Sequence, residues 1–159
     1  MLQPMDQRKS PVGHARHPQL TETKTPGKEP MNTVPDTHRD LIDGAHIATL
    51  STVGADGTPQ VTALWYLADG DTVATSLMTS RQKYKNIVAH PKATLFIVDP
   101  ANPYRTLEIR ATAAIEPDPD LALFDRVVRH YGQDPDTFPA PREDRVVLRL
   151  TPTRVVAQG

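Results

Sequence analysis

From Thr72 to Val98 the chain carries no Asp or Glu, while Arg81, Lys83, Lys85 and Lys92 supply four cations. Three of them stand at alternate positions directly after Thr79 and Ser80, and the segment before adds the hydroxyls of Thr75 and Ser76. Tyr84, Ile87 and Val88 fall at helical spacing, which predicts a short amphipathic helix over Ser80 to His90, capped by Ser80 and stopped before Pro91. Cations at a helix start oppose the helix dipole and are unfavourable alone. They become favourable when an anion docks, because backbone N–H groups, dipole and side chains then face one negative group. The residues therefore read as a phosphate-binding turn. The same run also fits an ordinary solvated basic face; the strand before it and the lack of a local acid favour the anion site.

The elements that must hold this turn are mostly strands. Ala45 to Val53 alternates, with His46, Ala48, Leu50 and Thr52 on one face and Ile47, Thr49, Ser51 and Val53 on the other. Gly54-Ala55-Asp56-Gly57 predicts a hairpin into a return strand over Thr58 to Leu67, and Ala68 to Asp71 a second turn into Thr72 to Met78. Ala93 to Val98 is a dense apolar strand and Tyr104 to Ile115 a long alternating one. Arg145 to Val156 predicts two short strands pivoting at Pro152. Helices are expected from Pro35 through Ile42, capped by Asp36 or Thr37 and closed by a left-handed Gly44, and over Pro119 to Tyr131. Glu116 to Asp120 reads as a loop and N-cap for the latter. The pattern is mainly β: an antiparallel barrel with peripheral helices.

Composition bounds the function. The chain has 159 residues, enough for one domain, and 18 Lys+Arg against 19 Asp+Glu. A net charge of -1 argues against a nucleic-acid-coating protein, and 5% aromatic residues argue against a stacking platform for single strands. There is no Cys, hence no thiolate chemistry. No apolar run is long enough to span a bilayer and no apolar segment follows the N-terminal charges, so no membrane association and a cytoplasmic location are expected. Six of the 16 Pro lie in the first 35 residues, without aromatics. Residues 1–32 are expected to be a disordered leader, with Met31 as an alternative start, and residues 33–159 the folded domain. His14 and His17 alone approach ligand spacing, and no metal site is expected.

Four blocks, HIATLSTVGADGTPQVTALWY, SRQKYKN, DPANPYRTLEIRATAAIE and RVVLRLTPTRV, occur in this order between Val34 and Val156. Together they resemble the split β-barrel flavoproteins of the pyridoxamine 5′-phosphate oxidase superfamily, and within it the actinobacterial branch that uses the deazaflavin coenzyme F420. Ala111 departs from the pattern, standing where Gly is expected. The resemblance implies an FMN-binding-type antiparallel split barrel. It implies that Arg81 and Lys83 hold the cofactor phosphate, assisted by Ser80 and Asn86, while Thr75 and Ser76 approach the ribityl chain. Thr62, Ala63, Leu64 and Trp65 would offer backbone contacts and an apolar wall to the ring, and Lys85 would serve the anionic tail of the deazaflavin. It further implies a homodimer with cofactor sites at the interface, where Tyr104 and its DPANPY loop contact ring or substrate from the second subunit.

The activity so implied is hydride transfer between reduced coenzyme F420 and a small unsaturated or conjugated organic substrate. No catalytic residue stands out; Tyr66, His46 and Tyr104 are the candidate proton donors. The alternatives are an FMN-dependent oxidase or reductase on the same barrel, and a protein that binds flavin or deazaflavin without turning it over.

Overall fold

Asp56 and Gly57 turn the first hairpin as their residue types require. Gly57 takes φ +83°, Gly54 N–H donates to Thr58 O at 2.9 Å, and Asp56 accepts from the Thr58 backbone at 2.9 Å. The computed structural model that shows this describes residues 34–159, so the expected leader lies outside the described residues. On either side of the turn run β1 (Ala48–Val53) and β2 (Pro59–Leu64), antiparallel with Leu50 opposite Thr62. The expected alternation holds, since Ala48, Leu50 and Thr52 are buried while Val53 is exposed.

There follow β3 (Leu67–Asp69), β4 (Thr72–Met78), α2 (Gln82–Ala89), β5 (Lys92–Asp99), β6 (Asn102–Pro117), α3 (Ala122–His130) and β7 (Arg145–Gln158); a 3-10 turn at Asp36–His38 leads into α1 (Arg39–Asp43) ahead of them all. All seven strands pair antiparallel in one sheet of order β2-β1-β5-β6-β7-β4-β3. Its two outermost strands, β2 and β3, are consecutive in the chain and joined only by Trp65 and Tyr66. A sheet whose margins are so closely tethered must curl until they meet, which makes a barrel with one unzipped seam. Thr75 Oγ1 donates to Trp65 O at 2.6 Å across that seam, and the Tyr131 hydroxyl accepts from Tyr66 N–H at 3.1 Å.

Inside, Leu50, Leu95, Ile97, Leu107, Ile109, Leu148 and Leu150 are almost fully buried, and Leu41, Ile42 and Ile87 close over them from α1 and α2. Each such side chain contributes about 1.5–3 kcal/mol by leaving water. A smaller cluster of Leu67, Ala74, Leu123, Val127 and Val147 seats α3 on the sheet. Asp118 starts that helix by accepting from the Leu123 and Phe124 backbones at 3.2 and 3.1 Å.

Several local expectations are corrected. The return strand breaks at Trp65–Tyr66, because there the chain leaves one margin for the other. β7 is one strand, not two; Pro152 pairs with Ala111 and Arg154 with Arg110, so Thr153 is a bulge that lets Pro152 stay in the sheet without an N–H. Ala111 is accommodated there, 4% exposed. Gly44 is extended, φ -83°, not left-handed; a Cβ would stand 2.6 Å from Asp40 O and 2.7 Å from His46 Nε2, so close approach is what demands Gly. Neither Asp36 nor Thr37 caps the first helix, and Ser80 does not cap α2, which starts after an extended Arg81 with no side-chain cap.

Candidate functional site

One buried amide decides where α2 sits. Asn86 Nδ2 donates to Thr52 Oγ1 at 3.0 Å and to Gln60 Oε1 at 3.1 Å, and its Oδ1 accepts from Gln82 Nε2 at 2.9 Å. Asn86 is 2% exposed, so losing any partner would strand a buried polar group. The amide pins the helix to β1 and β2 and thereby lays Lys83, a turn earlier, over β2. Lys83 Nζ donates to Thr62 Oγ1 at 3.3 Å. The ammonium is half-buried, and that burial, reinforced by the neighbouring Arg81 charge, pushes its pKa down. Arg81 itself is exposed and makes no ion pair among the described residues.

A third cation joins from the far end of the sequence. Pairing of Met78 with Arg145 sets the start of β7 beside the turn. Arg145 Nη1 donates to Ser76 Oγ at 3.2 Å, Nε donates to Pro141 O at 2.6 Å, and the guanidinium lies 4.0 Å over the Phe124 ring. Burial, then the charges of Arg142 and Arg81, push its pKa down. Arg81 therefore bears on both Lys83 and Arg145. Three cations share one neighbourhood, two of them partly buried and none in an ion pair among the described residues. Such a cluster has the chemistry that an anion would neutralise.

A family model for pyridoxamine 5′-phosphate oxidase matches residues 34–159, all of the described residues. The chain belongs to that family. A solved structure named F420 reductase is 38% identical, the match covering 77% of this chain and 98% of its own, with a TM-score of 0.72. A conserved hypothetical protein from Mycobacterium tuberculosis is 20% identical over 79% of this chain and 85% of its own, TM-score 0.64. The haem storage protein HutZ from Vibrio cholerae is 17% identical over 77% of this chain and 93% of its own, TM-score 0.59. These last two share the fold alone. No curated protein sequence matches.

In this pyridoxamine 5′-phosphate oxidase family member the remaining expected residues are placed unevenly. Thr62, Ala63 and Leu64 lie on β2, which among the described residues pairs only with β1 and so presents backbone groups on its other side. Trp65 is half-buried and stacks on Tyr131, centroids 4.5 Å apart and planes 7° apart, with Phe138 at 5.3 Å. Thr75 is buried and committed to the Trp65 carbonyl, while Ser76 receives Arg145. Ser80 is exposed at the turn. Lys85 is exposed as well and, about 200° around the helix from Lys83, points away from the Lys83–Thr62 contact. Tyr104 stands 84% exposed at the start of β6, apart from the cluster.

Of the candidate proton donors, Tyr66 is fully buried and its hydroxyl donates to Leu41 O; burial pushes its pKa far up, so it holds α1 to the barrel instead of donating to a substrate. Among the described residues no three His, Asp or Glu converge as metal ligands, and no helix is long and apolar enough to cross a membrane. Sequence reasoning missed Arg145, Gln60 and Tyr131. Arg145 carried one usable signal, a cation opening a mostly apolar strand, but only the β4–β7 register brings it to Ser76.

Proposed function

We propose that this family member is an oxidoreductase that binds reduced coenzyme F420 and passes a hydride to a small unsaturated or conjugated organic substrate. The observation that carries the reading is the unneutralised cation cluster beside the free edge of β2. The relative named F420 reductase, at 38% identity over nearly its whole length, supports the choice of deazaflavin over FMN. Lys83 and Arg81 would clamp the cofactor phosphate, with the Thr62 hydroxyl steering the Lys83 ammonium. The free edge of β2 would take polar atoms of the ring, with the Trp65–Tyr131 stack as an apolar backing that keeps water from one side. Bound there, the coenzyme supplies a hydride from the carbon that replaces the reactive nitrogen of a flavin. The chain's own contribution is to orient and to exclude water.

The reading includes a homodimer. Val61, Ala63 and Phe96 face outward together across β2, β1 and β5, and Ile47 and Val98 continue that apolar face. A second copy laid on it would dry the face and offer its exposed Tyr104 to the neighbouring site.

Side-by-side fluorescence titration with coenzyme F420 and FMN tests the proposal. Tight binding of the deazaflavin, with reduction of an enone or quinone, is the expected result. Binding of FMN with oxygen-dependent turnover and no deazaflavin binding would make the protein a flavin oxidase instead. Deazaflavin binding without reduction of any acceptor would leave a carrier.

A further inference from the structure

A groove of about 480 Å³ lies between the end of α1, β3 and α3, lined by Asp43, Leu67, Ala68, Arg126, Arg129 and His130. That volume falls in the range of small-molecule sites. The floor is aliphatic, from Leu67 and Ala68, and one wall is basic. Arg126, Arg129 and His130 fall at i, i+3 and i+4, which sets them on one face of α3. The acids around that wall are too few. Arg126 and Arg149 share Asp69, at 2.9 and 2.8 Å, and Arg149 also takes Glu116 at 2.7 Å. Arg142 and Arg129 share Asp125, but Arg142 Nη2 is 3.1 Å from it and Arg129 Nη2 3.9 Å, too long for a hydrogen bond. Among the described residues four guanidinium groups thus divide three carboxylates, and the shortfall falls on Arg129. Asp43, the one acid in the lining among the described residues, lies 3.6 Å from Arg39 one turn back. The fold can leave Arg129 short of a carboxylate because the carbonyl end of α3, in whose last turn it stands, itself favours a cation.

We infer that this groove binds a small organic carboxylate with an aliphatic body, the carboxylate received by Arg129 with His130 beside it and the body laid on Leu67 and Ala68. A guanidinium fork matches a carboxylate edge to edge, and the aliphatic floor gives the rest of such a molecule a surface on which to leave water. None of the lining residues belongs to the Arg81, Lys83 and Arg145 cluster, so the groove is a separate site whichever cofactor the barrel takes.

Calorimetric titration of the full chain with hexanoate, and with hexanol as the uncharged molecule of the same body, tests the site. Wild type should bind hexanoate saturably and hexanol about fivefold more weakly. Arg129 is 63% exposed, so Arg129→Gln leaves the fold intact; it should weaken hexanoate about fivefold, the scale of an exposed charge pair, and leave hexanol within about twofold. Arg154→Gln, which removes an exposed cation from β7, should change neither. Hexanoate binding that is absent from wild type, unchanged in Arg129→Gln, or equally weakened in Arg154→Gln overturns the site. Displacement of hexanoate by coenzyme F420 overturns it as well, since the groove would then belong to the cofactor. If coenzyme F420 fails to bind while hexanoate still depends on Arg129, the cofactor reading falls and the groove stands.

Discussion

Two groups of cations in this molecule have opposite surroundings. Arg149 on β7 is held by Glu116 at 2.7 Å and Asp69 at 2.8 Å, with Thr72 Oγ1 at 3.0 Å, and Arg126 reaches the same Asp69 at 2.9 Å. Arg105 on β6 is likewise gripped by Asp40, Asp99 and the Thr37 carbonyl. In these knots the partners favour each other's charge: the carboxyls of Asp40, Asp69 and Asp99 are held below the usual range, and the guanidinium groups of Arg105 and Arg149 above theirs. At Lys83 and Arg145 the direction reverses, because burial and neighbouring like charge outweigh any opposite charge. The fold neutralises Arg149, Arg126 and Arg105 where they tie strands and helices together, and gives Arg81, Lys83 and Arg145, which share one neighbourhood, no ion pair among the described residues. Unpaired, partly buried charge is the mark of a binding site and paired charge the mark of a staple.

The contrast breaks most visibly at Lys83. Lys83→Met should weaken coenzyme F420 by about 1–3 kcal/mol, the scale of a lost charge-assisted bond, while the melting temperature of the ligand-free protein holds or rises because a desolvated charge is gone. A melting temperature that falls along with affinity would make Lys83 another staple. Arg149→Met is the mirror experiment: it should destabilise by about 1–2 kcal/mol and leave affinity unchanged. The pH dependences should diverge too. Lys83 has a depressed pKa when free, and a bound phosphate restores its charge, so affinity measured across alkaline pH should fall as pH rises through that depressed value. The carboxyls of the knots have folded pKa values below their ordinary 3.8, so their stabilisation is complete above that value and lost as pH falls through the folded ones, visible as acid unfolding by circular dichroism. The smallest effect is expected at Lys85→Ala, which should alter deazaflavin affinity by less than about twofold, since this side chain points away from the cluster.

The barrel was largely legible in the chain because its signals are local. Asp56-Gly57 asks for a tight turn, Leu107, Ile109, Ala111 and Ala113 keep strict alternation and are all buried, and the apolar stripe of α3 packs as its spacing requires. The turn at Arg81 and Lys83 was legible for a similar reason, as cations without acids in a continuous stretch. What escaped depends on distance along the chain. Arg145 meets Ser76 only through strand pairing 69 residues apart, and Tyr131 reaches the carbonyl of His46 from 85 residues away. Gly44 was misread because glycine serves two needs, positive φ and close approach, and only the neighbours Asp40 and His46 distinguish them. Asn86, expected to help hold a phosphate, has its amide engaged by Thr52, Gln60 and Gln82, a network split between β1, β2 and α2.

Among the described residues β2 has a strand neighbour on one flank only. Its other flank offers a row of amides and carbonyls onto which any stray extended peptide can add, the usual starting point for runaway self-association. In the reading given above, the coenzyme lies along that row. The redox partner would then also serve as a chaperone of sorts, and emptying the barrel would turn a catalyst into a template.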